Sequence, residues 1–349
     1  MSILAFIFVM GVVILVHELG HFVAGLLVHA KIEEFNIGMG PKVLSKKFKG
    51  IEYCLRALPL GGSVNFGSAY EEVPAGGEDE TELKPVDDPD NLNNKSILQR
   101  IFVFAAGPFM NFVLAILIFA GFFMSYGVPT AVIQDVVADS PAYTAGFQPG
   151  DIVEEVNGSA IMGSNNFVIT MGSNWGETMK IRVLRDGKSV DLSVVPQYDE
   201  ESGLGRIGVT LMDATYKKGF FGTMWSATKY TFMQVKLTLE SLKQMFIGKM
   251  KVDVTGPIGI AMVTAEAAQQ GFENIIMLIA ILSISLGLIN LMPVPILDGG
   301  WILFMLIELV RGKPLSQKTE FVFRVIGLVL ILLLFVYAFY SDIVRIFTS

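Results

Sequence analysis

Two histidines and a glutamate stand together in the run His17-Glu18-Leu19-Gly20-His21. Residues four apart on a helix share a face, so both imidazoles can be offered to one metal ion while Glu18 flanks them, within reach of a water bound there. The preceding residues, 3 to 16, are apolar, and ionisable side chains in an apolar helix are expensive enough that function is the default reading. Two imidazoles do not complete a site, because zinc with a catalytic water needs three protein ligands. The remaining histidine, His29, lies eight residues past His21. On a helix that is about 12 Å along the axis at about 1.5 Å per residue, too far to join. A carboxylate must supply the third ligand.

The run from Asn290 to Gly300 offers one. Pro293 and Pro295 break any helix there and expose backbone carbonyls around a single acid, Asp298. Depth supports the pairing. Entering an apolar layer near Ile3, His17 lies about 21 Å down at 1.5 Å per residue; entering from the same side near Ile275, Asn290 lies about 22 Å down. Both fall in the far half of a core about 30 Å thick, and the chain needs only to fold back to bring Asp298 to the metal.

The elements that position these groups are read from composition. Of 349 residues, 52% are apolar and 17% charged, against about 25% charged in a soluble globular domain. Apolar runs at 3 to 16, 101 to 124, 275 to 292 and 325 to 340 are each close to the roughly 20 residues that cross a bilayer core. The chain reads as a polytopic α-helical membrane protein with four transmembrane helices. Net charge is −7 and no basic stretch interleaves with aromatics, which excludes nucleic acid as a partner. A single cysteine, Cys54, gives no internal disulfide. Met1 to Val16 carries no Lys or Arg and so reads as a retained span rather than a cleaved signal. Lys31, Lys42, Lys46, Lys47 and Lys49 place the following loop in the cytoplasm, so four crossings put both termini outside and the metal towards the cytoplasmic side.

Residues 1–30 are thus the first span with the metal motif, and 31–68 a membrane-associated β-hairpin region of alternating apolar and polar residues. Residues 69–97 read as an acidic cytoplasmic linker, 98–126 as the second span, and 127–198 as an inserted extracytoplasmic β-rich domain. Residues 199–272, with Lys229, Lys236, Glu240 and Lys243 on a helical pattern, read as an interfacial amphipathic region. Residues 273–312 hold the third span and the Asp-bearing break, and 313–349 the fourth span and tail. In the β-rich domain, Ser140 to Val153 followed by Val156-Asn157-Gly158 resembles the helix, turn and strand of a bacterial-type PDZ domain, which implies an edge-strand groove for an extended peptide.

The histidine motif, the Asn290 to Gly299 run, Ala106-Gly107-Pro108-Phe109-Met110-Asn111-Phe112 and Thr255-Gly256-Pro257-Ile258-Gly259-Ile260 together resemble the site-2 protease family of intramembrane zinc metalloproteases. The likeness is to the bacterial type that acts in regulation of sigma factors, with one PDZ-like domain in place of a tandem pair. It implies Zn2+ held by His17, His21 and Asp298, Glu18 as general base, and Asn290 as a polar group engaging substrate. It further implies that the edge around Gly61, Gly62, Ser63, Val64 and Asn65 clamps an extended substrate. Ser63 and Asn65 are unusual there. The implied setting is a bacterial inner or plasma membrane. The implied partners are membrane lipid and a single-span transmembrane protein, such as an anti-sigma factor or a remnant signal peptide, with the PDZ-like domain restricting access. A PDZ-bearing membrane scaffold, a zinc transporter and a membrane-tethered soluble zincin are the competing readings. A scaffold or transporter has no use for Glu18 beside two ligands, and a tethered zincin needs a hydrophilic catalytic domain.

Overall fold

An apolar run in a bilayer has no water to satisfy its N–H and C=O groups and must satisfy them within a helix. The four apolar runs are helical in the structure, a computed structural model that describes residues 2–68, 70–74, 81–200, 203–246 and 256–348. The helices long and apolar enough to cross a membrane comprise Leu4–Leu27, Ile97–Tyr126, Phe272–Asn290 and Lys318–Arg345. The chain divides into two units, one of Met1–Ala115 with Thr238–Ser349 and one of Ile116–Leu237.

The first unit opens with α1 (Ser2–Leu27), then β1 (Glu34–Phe48) and β2 (Ile51–Asn65). β1 and β2 form one antiparallel sheet with an irregular register. The start of β1 is central in it: Phe35 pairs with both Tyr53 and Val64, and Asn36 with both Cys54 and Ser63. Residues 62 to 65 are therefore an edge. The sheet is seated on α1 by three rings, Phe22 lying 5.2 Å from Phe35 and 6.1 Å from Tyr53 between centroids. The stretch expected to be a linker departs from that reading, since β3 (Tyr70–Pro74) pairs with β4 (Thr81–Pro85). Its register sets Glu71 opposite Lys84, a backbone pairing between two short runs that composition alone does not reveal. Residues 75–80 of that stretch, and Thr255 of the Thr255 to Ile260 motif, lie outside the described residues.

α2 (Ile97–Tyr126) leads into the second unit, with β5 (Val128–Val136), α3 (Pro141–Ala145), β6 (Ile152–Val156), β7 (Ser159–Ala160), α4 (Ser164–Gly172), β8 (Met179–Arg185) and β9 (Lys188–Val194). A small hairpin of β10 (Gln197–Asp199) and β11 (Leu204–Arg206) precedes β12 (Val209–Tyr216). The sheet order is β12-β5-β6-β8-β9, with β7 beside β6. β12 corrects the sequence reading, which ended the β-rich domain at 198: Val209 and Leu211 pack against the same buried core as Ile133, Phe167 and Ile181. Only alternate residues of β12 face that core, so its apolar signal is weak. It also completes α4, whose N-terminus has no side-chain cap of its own; Asp213 on β12 accepts from the Ser164 N–H at 2.6 Å.

α5 (Phe220–Phe246) falls outside the four helices apolar enough to span. It is followed by α6 (Pro257–Gln270), α7 (Phe272–Asn290), α8 (Asp298–Arg311) and α9 (Gln317–Thr348). α6, which falls in the stretch read as interfacial, packs against α1, α7 and α9 within the first unit. Its N-terminus lacks a local cap. Asp342, 3% exposed on α9, fills that role, accepting from the N–H of Gly256 at 3.0 Å and of Gly259 at 2.9 Å. A Cβ on Gly256 would stand 2.9 Å from the Ala338 carbonyl oxygen, so the helices meet this closely only with glycine there. Asp342→Ala leaves two buried N–H groups unpaired, and a lost cap costs about 0.5–2 kcal/mol. Amide exchange at Gly256 and Gly259 should quicken and the melting temperature in detergent should fall by several degrees; unchanged exchange at both amides would remove the cap from the packing of α6.

Candidate metal centre

α1 carries His17 and His21 one turn apart, and both are buried. The Nδ1 of His21 faces the Val103 carbonyl of α2 at 2.8 Å. A carbonyl only accepts, so Nδ1 carries the hydrogen and Nε2 of the neutral ring is a lone pair. Gly107, one turn beyond Val103, leaves no room for a Cβ against that Nε2, which is what lets the imidazole approach α2 this closely. The two Nε2 atoms are 3.2 Å apart. Asp298 Oδ2 lies 3.2 Å from His17 Nε2 and 3.4 Å from His21 Nε2, and the three residues each present a ligand atom within 4.8 Å of the others. Asp298 Oδ2 is buried without a hydrogen-bond partner among the described residues. Three electron pairs converging on a point are mutually repulsive unless a cation sits among them, and two imidazoles with one carboxylate suit zinc.

Asp298 reaches this point because the chain breaks between α7 and α8. The missing N–H groups of Pro293 and Pro295 end the helix, and Leu297 N–H closes a turn back to Val294 at 3.1 Å. Ile296 has φ of 99°, a costly conformation for a β-branched residue that persists only where neighbours enforce it. They do so from two sides. Gly299 and Gly300 open α8 flat against the carbonyls of Leu291, Met292 and Val294, and Gly327 of α9 lies against the Pro295 carbonyl with no space for a side chain. Trp301, one turn into α8, stacks on Phe104 of α2 at 5.4 Å, with the Arg324 guanidinium 4.3 Å above its ring.

Glu18 is 8% exposed and lies beside the hairpin edge. A Cβ on Gly62 would stand 2.6 Å from Glu18 Cγ and 3.0 Å from the Asn36 carbonyl oxygen, so the edge strand passes directly over the carboxylate side chain. Ser63 Oγ accepts from Asn36 Nδ2 at 3.2 Å, and Arg56 Nε donates to Asn36 Oδ1 at 2.9 Å. Val64 continues the edge opposite Phe35, and Asn65 Oδ1 accepts from the Gly67 N–H at 2.9 Å. Gly61 sits at the entry to the edge with φ of 80°. At the outer end, the Lys42 ammonium and the Asn36 amide hold the Glu34 carboxyl below the usual carboxylate range.

Asn290, the last residue of α7, brings its Nδ2 to 3.4 Å from His17 Nε2. His29 lies beyond the end of α1 with φ of 55° and takes no part. Sequence reasoning assigned no role to Asn111 of α2, which is fully buried with Nδ2 3.3 Å from His17 Nδ1. Its signal was present: an amide inside an apolar run, eight residues after Val103 and four after Gly107, on one helix face.

The model of peptidase family M50 matches residues 5–334. A Clostridium acetobutylicum protein named as a candidate zinc metalloprotease is 35% identical over 344 residues, covering 98% of this chain and 96% of its own. One from Rickettsia conorii with the same kind of name is 32% identical over 364 residues, covering 100% of each. The zinc metalloprotease RasP of Oceanobacillus iheyensis is 29% identical over 431 residues, covering 99% of each. The PDZ domain of an SdrC-like protein from Listeria monocytogenes is 26% identical with a TM-score of 0.22, covering 24% of this chain and 86% of that one.

Gly107→Val should displace the His21 ring and strip the metal, whereas Gly121→Val on the same helix, where a Cβ meets nothing within 4 Å, should keep it. Metal content of the two purified variants checks this, and equal content would mean that the ring has room to move.

Proposed function

We propose, from the premise that this chain belongs to peptidase family M50, that it hydrolyses a peptide bond within the transmembrane helix of a single-span membrane protein. The substrate class is that of regulated intramembrane proteolysis, such as an anti-sigma factor or a remnant signal peptide. The chain is a zinc metalloprotease. The observation that carries the finer reading is the meeting of His17, His21 and Asp298, with Glu18 beside them, on elements that include helices apolar enough to span a bilayer.

In this reading His17 Nε2, His21 Nε2 and Asp298 Oδ2 hold the zinc. Zinc so bound lowers the pKa of water towards about 7 and polarises a carbonyl. Glu18 acts as general base, its carboxylate taking the proton of the attacking water and passing it to the leaving amine. Burial of Glu18 under the hairpin keeps bulk water from competing for that proton. Asn290 offers its amide N–H to the substrate backbone beside the metal ligands.

A helical substrate hides its carbonyls in its own hydrogen bonds and must unwind to be cut. In an apolar layer each freed backbone group costs several kcal/mol unless it finds a partner. The edge formed by Gly61 to Asn65 supplies a strand to pair with, and its passage over Glu18 supports the reading that a paired substrate meets the general base. The exposed lysines Lys31, Lys46, Lys47 and Lys49 support a cytoplasmic side for the hairpin in a bacterial inner membrane.

Glu18→Gln should keep the fold and one zinc per chain while lowering cleavage of a model transmembrane helix by about 10²–10⁴-fold; turnover near the parent rate would exclude Glu18 as base and favour a binding protein. Val64→Pro removes one backbone donor from the edge and should lower cleavage without loss of zinc. An unchanged rate in reconstituted vesicles would make the edge purely structural.

A further inference from the structure

We infer that Asn111 holds His17 in its metal-binding tautomer, its amide oxygen accepting the Nδ1–H of that imidazole; the inference rests on His17 being a zinc ligand. The starting point is the geometry of the ring. His17 Nε2 faces Asp298 Oδ2 at 3.2 Å and His21 Nε2 at 3.2 Å, so the metal-binding nitrogen is Nε2. A neutral imidazole with a lone pair on Nε2 carries its hydrogen on Nδ1, and that N–H is buried and requires an acceptor. His21 has one in the Val103 carbonyl. For His17 the neighbour is the Asn111 carboxamide, at 3.3 Å.

As placed, the amide turns its nitrogen to Nδ1, and its oxygen is buried with no partner among the described residues. The two ends of a carboxamide have nearly the same shape, and which one points where is decided by the hydrogen bonds available. Among the described residues no donor reaches the place where Oδ1 now stands, so turning the amide over breaks no hydrogen bond at that end and brings the oxygen to the Nδ1–H. The unpartnered oxygen and the unaccepted imidazole proton then answer each other. Without the metal the reverse orientation is the good one, because Nδ1 can accept from the amide while Nε2–H donates to Asp298. An amide serves both states; an apolar side chain serves neither.

One face of α2 thus carries the support of both imidazoles: the Val103 carbonyl for His21, Gly107 for the room its ring needs, and Asn111 for His17. Partners of this kind fix the orientation of a metal-bound imidazole and raise its basicity, and their loss weakens metal binding by about 10–100-fold.

The test is zinc affinity measured by chelator competition on the full chain in detergent, with His17→Ala as reference. Asn111→Leu, close in shape but without an acceptor, should bind zinc about 10–100-fold more weakly. Asn111→Asp, which keeps an acceptor oxygen, should bind at least ten times more tightly than Asn111→Leu. If Asn111→Leu does not fold, Asn111→Ala replaces it in the same comparison. A residue needed only for packing gives the opposite order, since a buried carboxylate is worse for packing than leucine. Parent affinity in Asn111→Leu, or an affinity of Asn111→Asp no better than that of Asn111→Leu, overturns the inference. Parent affinity in His17→Ala instead overturns the assignment of His17 as a ligand.

Discussion

Three lone pairs aimed at one point inside an apolar helix bundle require a cation, and much of the first unit exists to keep them aimed. α1 by itself supplies two of the three, since helical spacing puts His17 and His21 on one face. The third comes from a residue 277 positions after His21, so the chain must bring two distant helices and a broken one within a few ångströms. Close backbone approach achieves this. Without a hydrophobic force between helices in lipid, association depends on packing, and glycine at the contact allows it. Gly107 under His21 is the clearest case.

The break that carries Asp298 is held in a different way. A seven-residue stretch between α7 and α8 would be free to wander if only prolines shaped it. Instead, the flat start of α8, the stacking of Trp301 between Phe104 and Arg324, and the seat of Pro295 on α9 leave Ile296 in a conformation it would not choose. Rigidity on the ligand side contrasts with the hairpin side, where an edge strand lies over Glu18 with its outer flank outside the β1–β2 ladder. Rigidly held ligand atoms and an open edge are the two features on which the proposed cleavage of another molecule's backbone rests.

How much of this was legible in the sequence follows from how local each signal is. His17, Glu18 and His21 are legible because a helix has a fixed period, and Asp298 because two prolines isolate a single acid near the matching depth. The apolar spans need only composition. Asn111 was passed over because an amide in an apolar helix is ambiguous until a partner is known, and its partner is 94 residues earlier in the chain. β12 was missed because its pairing with β5 spans a whole domain and its alternation is half-buried. The cap of α6 was not legible because its carboxylate, Asp342, lies in another helix altogether. Local period is written in the sequence; contacts that close over long separations are not.

The tie between α6 and α9 also sets an order of assembly. During synthesis the ribosome delivers every residue of the candidate metal centre once Asp298 has emerged, yet Gly256 waits 86 residues and Gly259 83 for the carboxylate that caps their helix. The glycine that seats the Asp298 break, Gly327 of α9, likewise follows Asp298 by 29 residues. A chain grown only as far as Asp298 therefore carries His17, Glu18, His21 and Asp298 without the α9 contacts that frame them. The frame of the centre is thus completed after its last side chain, by contacts that α9 brings to α6 and to the break.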